Sequence, residues 1–151
     1  MCQTVGSDSD TWGWGCSITG SMRILIDGRP LQTYSRFRGI GRYVQLFIDS
    51  FGHRKEFYFL FFKDKDFEPK VCNPVFVNSP RRGITFTDTF FLNRIFKRIG
   101  VDLYHSTAYA LPRKRSDIKY LLTVYDLTPI RFSRFGTKKN VAIFKRILAS
   151  A

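Results

Sequence analysis

MRILID (residues 22–27) and, after an arginine-rich stretch, GIGRYVQLFIDSF (residues 39–51) are the two pieces of sequence that decide the fold. The first is a short apolar run closed by a carboxylate, as a buried strand ends when it emerges at the edge of a sheet. In the second, Ile40, Tyr43, Val44, Phe47, Ile48 and Phe51 recur at helical spacing and form one apolar stripe, which Gly52 terminates. The intervening residues, through Gly39, read as a polar loop. A strand, a loop and an amphipathic helix in that order make the opening of an α/β unit.

The pattern continues downstream. Residues 57–62 (FYFLFF), 74–77, 101–105 (VDLYH) and 119–124 (KYLLTV) read as strands, with a charged loop at 63–70. Thr87 and Asp88 are placed to cap a second helix, with Phe91, Leu92, Ile95, Phe96 and Ile99 on its buried stripe. Arg94, Lys97 and Arg98 fall on its wet face, and Gly100 ends it. Residues 138–151 read as a third helix that reaches Ala151 without Gly, Pro or a cap, so the expectation is a domain cut short there. Strands alternating with helices predict an α/β, Rossmann-like domain with a mostly parallel sheet and right-handed crossovers.

Composition bounds the rest. The chain has 151 residues, 44% hydrophobic and 17% aromatic with 16 Phe, enough apolar surface to require a core and to exclude a disordered polyelectrolyte. Residues 1–21 are rich in Gly, Ser and Thr without periodicity and are expected to be a disordered extension, with 22–151 the folded domain. That extension contains Asp8 and Asp10 but no Lys or Arg, and so lacks the charged and apolar regions of a secretory signal. A partner-anchoring role for Trp12 and Trp14 is the lesser alternative. Cys2, Cys16 and Cys72 are odd in number and show no metal or redox spacing, which argues against a disulfide framework and for a cytoplasmic protein. The longest apolar run, residues 57–62, falls far short of the roughly 20 residues that span a bilayer.

In open α/β sheets ligands bind beyond the carboxyl ends of the strands, so the residues after each strand are the candidates. After the first come Asp27 and Arg29, then Arg36, Arg38, Gly39, Ile40, Gly41 and Arg42 at the helix start. Two glycines there let the backbone approach a phosphate, or make a tight turn before a packed helix; pattern alone leaves both open. His105 and Ser106 follow another strand, where the histidine is a base, a ligand contact or, by default, a satisfied rim residue. Tyr125 and Asp126 follow the last; Asp126 either orients a substrate hydroxyl or caps the turn into Pro129. Arg113, Lys114 and Arg115 read as a solvated loop. The sequence contains no Walker loop, HExxH, CxxC or GxSxG, which removes most of the weight from those chemistries.

Four blocks in order, MRILIDGRPL (22–31), GIGRYVQLFIDSF (39–51), VDLYHSTAYALP (101–112) and KYLLTVYDLTPIRF (119–132), resemble the N-terminal half of family 4 glycosyltransferases, which build polysaccharides and glycolipids. The resemblance implies a GT-B architecture of two Rossmann-like domains, of which this chain supplies the acceptor side. It implies a nucleotide-sugar donor as substrate, a saccharide or lipid-linked acceptor, retention of configuration, and no metal or other cofactor. Gly39, Ile40, Gly41 and Arg42 then meet the donor diphosphate, and Asp27, Arg29, Arg36, Arg38, His105 and Ser106 line the cleft. Tyr125 and Asp126 take the catalytic position, with Tyr125 standing where relatives carry histidine; a tyrosine stays neutral near pH 7. The paired glutamates of the second domain are not in this sequence.

Charge supplies a rival of another class. With 25 Lys and Arg against 12 Asp and Glu, the chain carries +13, and +15 over residues 22–151, where 10 of the acidic residues lie. Such a domain is drawn to polyanions, whether an anionic membrane surface or nucleic acid. No nucleic-acid motif accompanies the charge, so nucleic acid ranks well below the enzyme. A third alternative is a partial reading frame without activity.

Overall fold

The computed structural model describes residues 21–63, 67–78, 88–107, 111–112 and 115–125, with positions 142, 145 and 149. The expected extension, the Thr87 and Asp88 cap, Arg113, Lys114, Asp126 and most of the expected last helix lie outside the described residues or side chains. Ala142, Lys145 and Ala149 are helical.

Five strands, β1 (Ile24–Asp27), β2 (Phe57–Phe62), β3 (Pro74–Val77), β4 (Leu103–Ser106) and β5 (Lys119–Leu122), form one parallel sheet in the order β3-β2-β1-β4-β5. Helix α1 (Gly39–Phe51) joins β1 to β2, and α2 (Asp88–Ile99) lies between β3 and β4 in the chain. This is an α/β, Rossmann-like fold. β1 is central, with Ile24 in register with Phe57 on one side and Leu103 on the other. Strand order reverses between β1 and β4, and that switch point is where a parallel sheet opens a crevice at its carboxyl end.

Alternation along the strands divides the core into two layers. Ile26, Phe59 and Phe61 pack with Val44 and Ile48 of α1, while Tyr43, Phe47 and Phe51 of the same stripe close over them half-buried. Leu25, Leu60 and Phe62 pack on the other face with Leu92, Ile95 and Phe96 of α2. The α2 stripe departs from expectation at one position: Phe91 is 38% exposed, so the helix buries a narrower face than its sequence suggests. Gly100 ends α2 in the left-handed region, φ 68°, where a side chain is strained. The Arg23 guanidinium donates to the Ile99 carbonyl, placing a cation at the negative end of the helix.

The loop expected at 28–38 is ordered into two single 3-10 turns, Arg29–Gln32 and Tyr34–Phe37. Gln32 holds the first against β2: its amide donates to the Phe62 carbonyl at 3.0 Å and accepts the Phe62 N–H at 2.7 Å. Among the described residues no helix is long and apolar enough to cross a membrane.

Phe96 is fully buried and meets Tyr104 ring to ring at 5.2 Å. Phe96→Ala is expected to lower the stability to urea by about 3–5 kcal/mol, the usual effect of emptying such a site.

Candidate functional site

The crevice floor is built on Asp27. This carboxylate ends β1 with no exposure and accepts from Arg29 Nε at 2.8 Å, Arg29 Nη2 at 2.7 Å, the Arg29 backbone N–H at 3.2 Å and the Tyr104 hydroxyl at 3.1 Å. Thr107 donates to the Asp27 carbonyl. Burial and then the neighbouring Asp27 charge push the Tyr104 hydroxyl well above its ordinary range, so it remains a donor. Arg29, expected to line the cleft with Arg36 and Arg38, differs from them: it is 1% exposed, salt-bridged to Asp27, with its guanidinium over the Phe62 ring. Its reach is used inside the protein.

Beside the floor lies a cluster of hydroxyls and rings. His105 Nε2 and Thr123 Oγ1 share a hydrogen bond of 2.7 Å, and the Tyr43 hydroxyl meets the same oxygen at 3.2 Å. Phe47 and Tyr43 set their rings edge-on to the imidazole at 5.2 and 6.2 Å. Tyr125 donates to the Thr107 carbonyl at 3.0 Å and stands edge-on to Tyr43. Burial pulls the His105 pKa down from its usual value, against a smaller upward pull from Asp27, so the ring is neutral at pH 7. At 2% exposure the imidazole does not face solvent, and Thr123 and Tyr43 lie against it. Ser106 is buried next to it and its carbonyl accepts the Thr123 N–H.

The third part is the start of α1. Arg38 occupies the cap position without a side-chain hydrogen bond, and the first turn has no acidic residue, so among the described residues the amides of Gly39, Ile40 and Gly41 and the positive end of the helix dipole have no side-chain cap. The two glycines differ. A Cβ at Gly41 lies 2.5 Å from the Arg36 backbone, whereas one at Gly39 meets nothing within 4 Å. Gly41 therefore seats the Tyr34–Phe37 turn against the helix, whereas Gly39 faces open space. Arg36, Arg38 and Arg42 are exposed around this end, with Arg36 and Arg42 also lining a 490 Å³ depression shared with Leu31, Gln45 and Phe67.

Thus Asp27, Arg29, His105, Ser106 and Tyr125 gather at the carboxyl ends of β1 and β4, and Gly39, Ile40, Gly41, Arg36, Arg38 and Arg42 at the adjoining helix end. Tyr104 and Thr123 carry no site signal in the sequence, and Thr107 only that of following His105 and Ser106. Tyr43 was counted as core, and its position one helical turn past Gly39 is the signal that it also borders the crevice. Among the described residues no group of three His, Cys, Asp or Glu is placed to hold a metal. No protein-family model, curated protein or solved structure matches the chain.

Two outcomes are expected. Asp27→Ala strands a buried guanidinium and lowers stability by about 3–5 kcal/mol, while Asp27→Ala combined with Arg29→Met recovers part of that loss in the same urea titration. A histidine whose folded pKa lies below its unfolded 6.5 favours folding above that pH, and the contribution is lost as pH falls from 6.5 through the lowered value. Wild type therefore loses more stability than His105→Gln between neutral and mildly acidic pH, measured by urea midpoints.

Proposed function

We propose that this domain is the acceptor-side half of a GT-B glycosyltransferase, which moves a sugar from a nucleotide diphosphate to a hydroxyl of a saccharide or lipid-linked acceptor. The observation that carries the reading is the open start of α1: backbone amides without a side-chain cap, clear space over Gly39, and exposed arginines, all beside the hydroxyl cluster at the ends of β4 and β5. The order of the four sequence blocks supports the same reading.

On this reading the donor diphosphate rests on the amides of Gly39 to Gly41, with Arg42 beside it. As the sugar–phosphate bond breaks, negative charge grows on the diphosphate, and a fixed helix dipole and guanidiniums stabilise it without reorganising. The acceptor oxygen forms the new bond to the sugar carbon, and its proton passes to the departing diphosphate oxygen. Thr123, Tyr43 and Tyr125 offer hydroxyls to orient the sugars, and Asp126 has its role from the resemblance. Tyr125, whose proton is given to the Thr107 carbonyl, offers a sugar an acceptor oxygen and is not a proton shuttle. Asp27 and Arg29 act beneath the site, by holding β1 and the turn after it.

A second domain supplies the nucleotide contacts in this reading, so residues 1–151 alone are expected to give no turnover: one wall does not enclose a transition state. With a donor-binding domain joined, Gly39→Val is expected to reduce kcat/KM on the order of a hundredfold while thermal melts stay unchanged, since the added side chain enters ligand space and not protein. Gly41→Val unfolds the turn as well and is a poorer probe. A Gly39→Val enzyme with full activity and a normal melt rejects the phosphate role of this turn.

A further inference from the structure

Two aromatic side chains stand clear of the protein. On the Tyr34–Phe37 turn, Tyr34 is 73% and Phe37 75% exposed, more than any other large hydrophobic residue described. Residues three apart on a 3-10 turn eclipse each other, so both project from the same side. Each ring carries a guanidinium, Arg36 over Phe37 at 4.6 Å and Arg38 over Tyr34 at 4.9 Å. Among the described residues, the arginines paired with carboxylates are Arg29, Arg54 and Arg115. Arg36, Arg38 and Arg42 have no such partner there, and no acidic residue lies in the first turn of α1.

Aromatic tips flanked by unneutralised cations match the boundary of an anionic bilayer, where rings settle among the headgroups and guanidiniums meet lipid phosphates. A nucleic acid fits less well. Successive bases need open ring faces, but one face of each ring is taken by an arginine and the rings stand edge to face, at 65°. We propose that the Tyr34–Arg38 segment is a membrane-docking element that seats this end of the domain on anionic lipid. It follows from the exposed turn alone and does not depend on glycosyl transfer.

The test is co-sedimentation of the full chain with phosphatidylcholine vesicles, with and without phosphatidylglycerol. Binding is expected only with phosphatidylglycerol and is expected to weaken with salt. Tyr34→Ser with Phe37→Ser lowers the partition coefficient on the order of tenfold by removing the buried apolar area. Arg36→Gln with Arg38→Gln lowers it roughly fivefold per arginine. Arg94→Gln with Lys97→Gln removes the same charge from the exposed face of α2 and changes binding less than about twofold. In a chain with Trp12→Phe and Trp14→Phe, the fluorescence of Phe37→Trp is quenched by brominated lipid. No binding to anionic vesicles, equal loss in the α2 control, an unaffected aromatic double variant or no quenching overturns the proposal. So does a larger effect of the aromatic double variant on single-stranded RNA binding than on vesicles, which assigns the turn to nucleic acid.

Discussion

The buried pairing of Asp27 with Arg29 is the constraint on which the site end of this domain rests. A carboxylate at the end of the central strand, without exposure, is tolerable only if its oxygens are matched, and here one side chain two residues along supplies two donors and a backbone N–H a third. The geometry of that fork turns the chain sharply out of β1. Tyr104 and Thr107 tie the same residue to β4 and the segment after it, so Asp27 couples the two strands that flank the switch point. Buried ion pairs seldom add much net stability over an apolar substitute. What this one supplies is direction: the exit from β1 is fixed, Gln32 pins the turn to β2, and α1 then begins where the crevice opens.

Much of the fold was legible because it rests on periodicity. The strand runs and the stripes Val44, Ile48 and Leu92, Ile95, Phe96 follow from spacing alone, and the structure places them as two layers on a parallel sheet. The turns at 29–32 and 34–37 were not legible, since short polar segments have no period and their order comes from Gln32 reaching a strand 30 residues away. Phe91 shows the opposite failure: it obeys the apolar pattern, yet it is left 38% exposed.

The candidate site divides along the same line. That Asp27, His105 and Ser106 lie at strand ends was readable from where the apolar runs stop. That Arg29 is internal was not, because burial of an arginine is decided by its neighbours in space, here Asp27 and Phe62. The pair Gly39 and Gly41 looks symmetric as a GxG motif, but the chain packs against only one of them. The packing explanation of the motif therefore holds at Gly41, and only Gly39 is left open for the proposed phosphate contact. His105 reads as a strand-end residue, whereas Thr123, which the structure sets between it and Tyr43, reads only as part of the 119–124 strand run, although β5 ends at Leu122.

A net charge of +13 says nothing about where the charge acts. The structure sorts the arginines by task. Arg29 is neutralised in the floor, Arg23 sits at the carboxyl end of α2, and Arg54 and Arg115 have acidic partners. Arg94 and Arg98 are exposed on α2, and Arg36, Arg38 and Arg42 stand together at one rim, where they are not equivalent. Arg36 and Arg38 lie on the rings of the exposed turn, which turns their charge outward with the aromatics. Arg42 stands on the helix itself, one turn from its open amides, and has no ring beneath it. The two proposals thus draw on different residues: the helix start and Arg42 for a diphosphate, the Tyr34–Arg38 segment for a lipid surface. Because that segment leads directly into Gly39, a bilayer that held it would also lie against the start of α1, so the two proposals place lipid and diphosphate on adjoining ground.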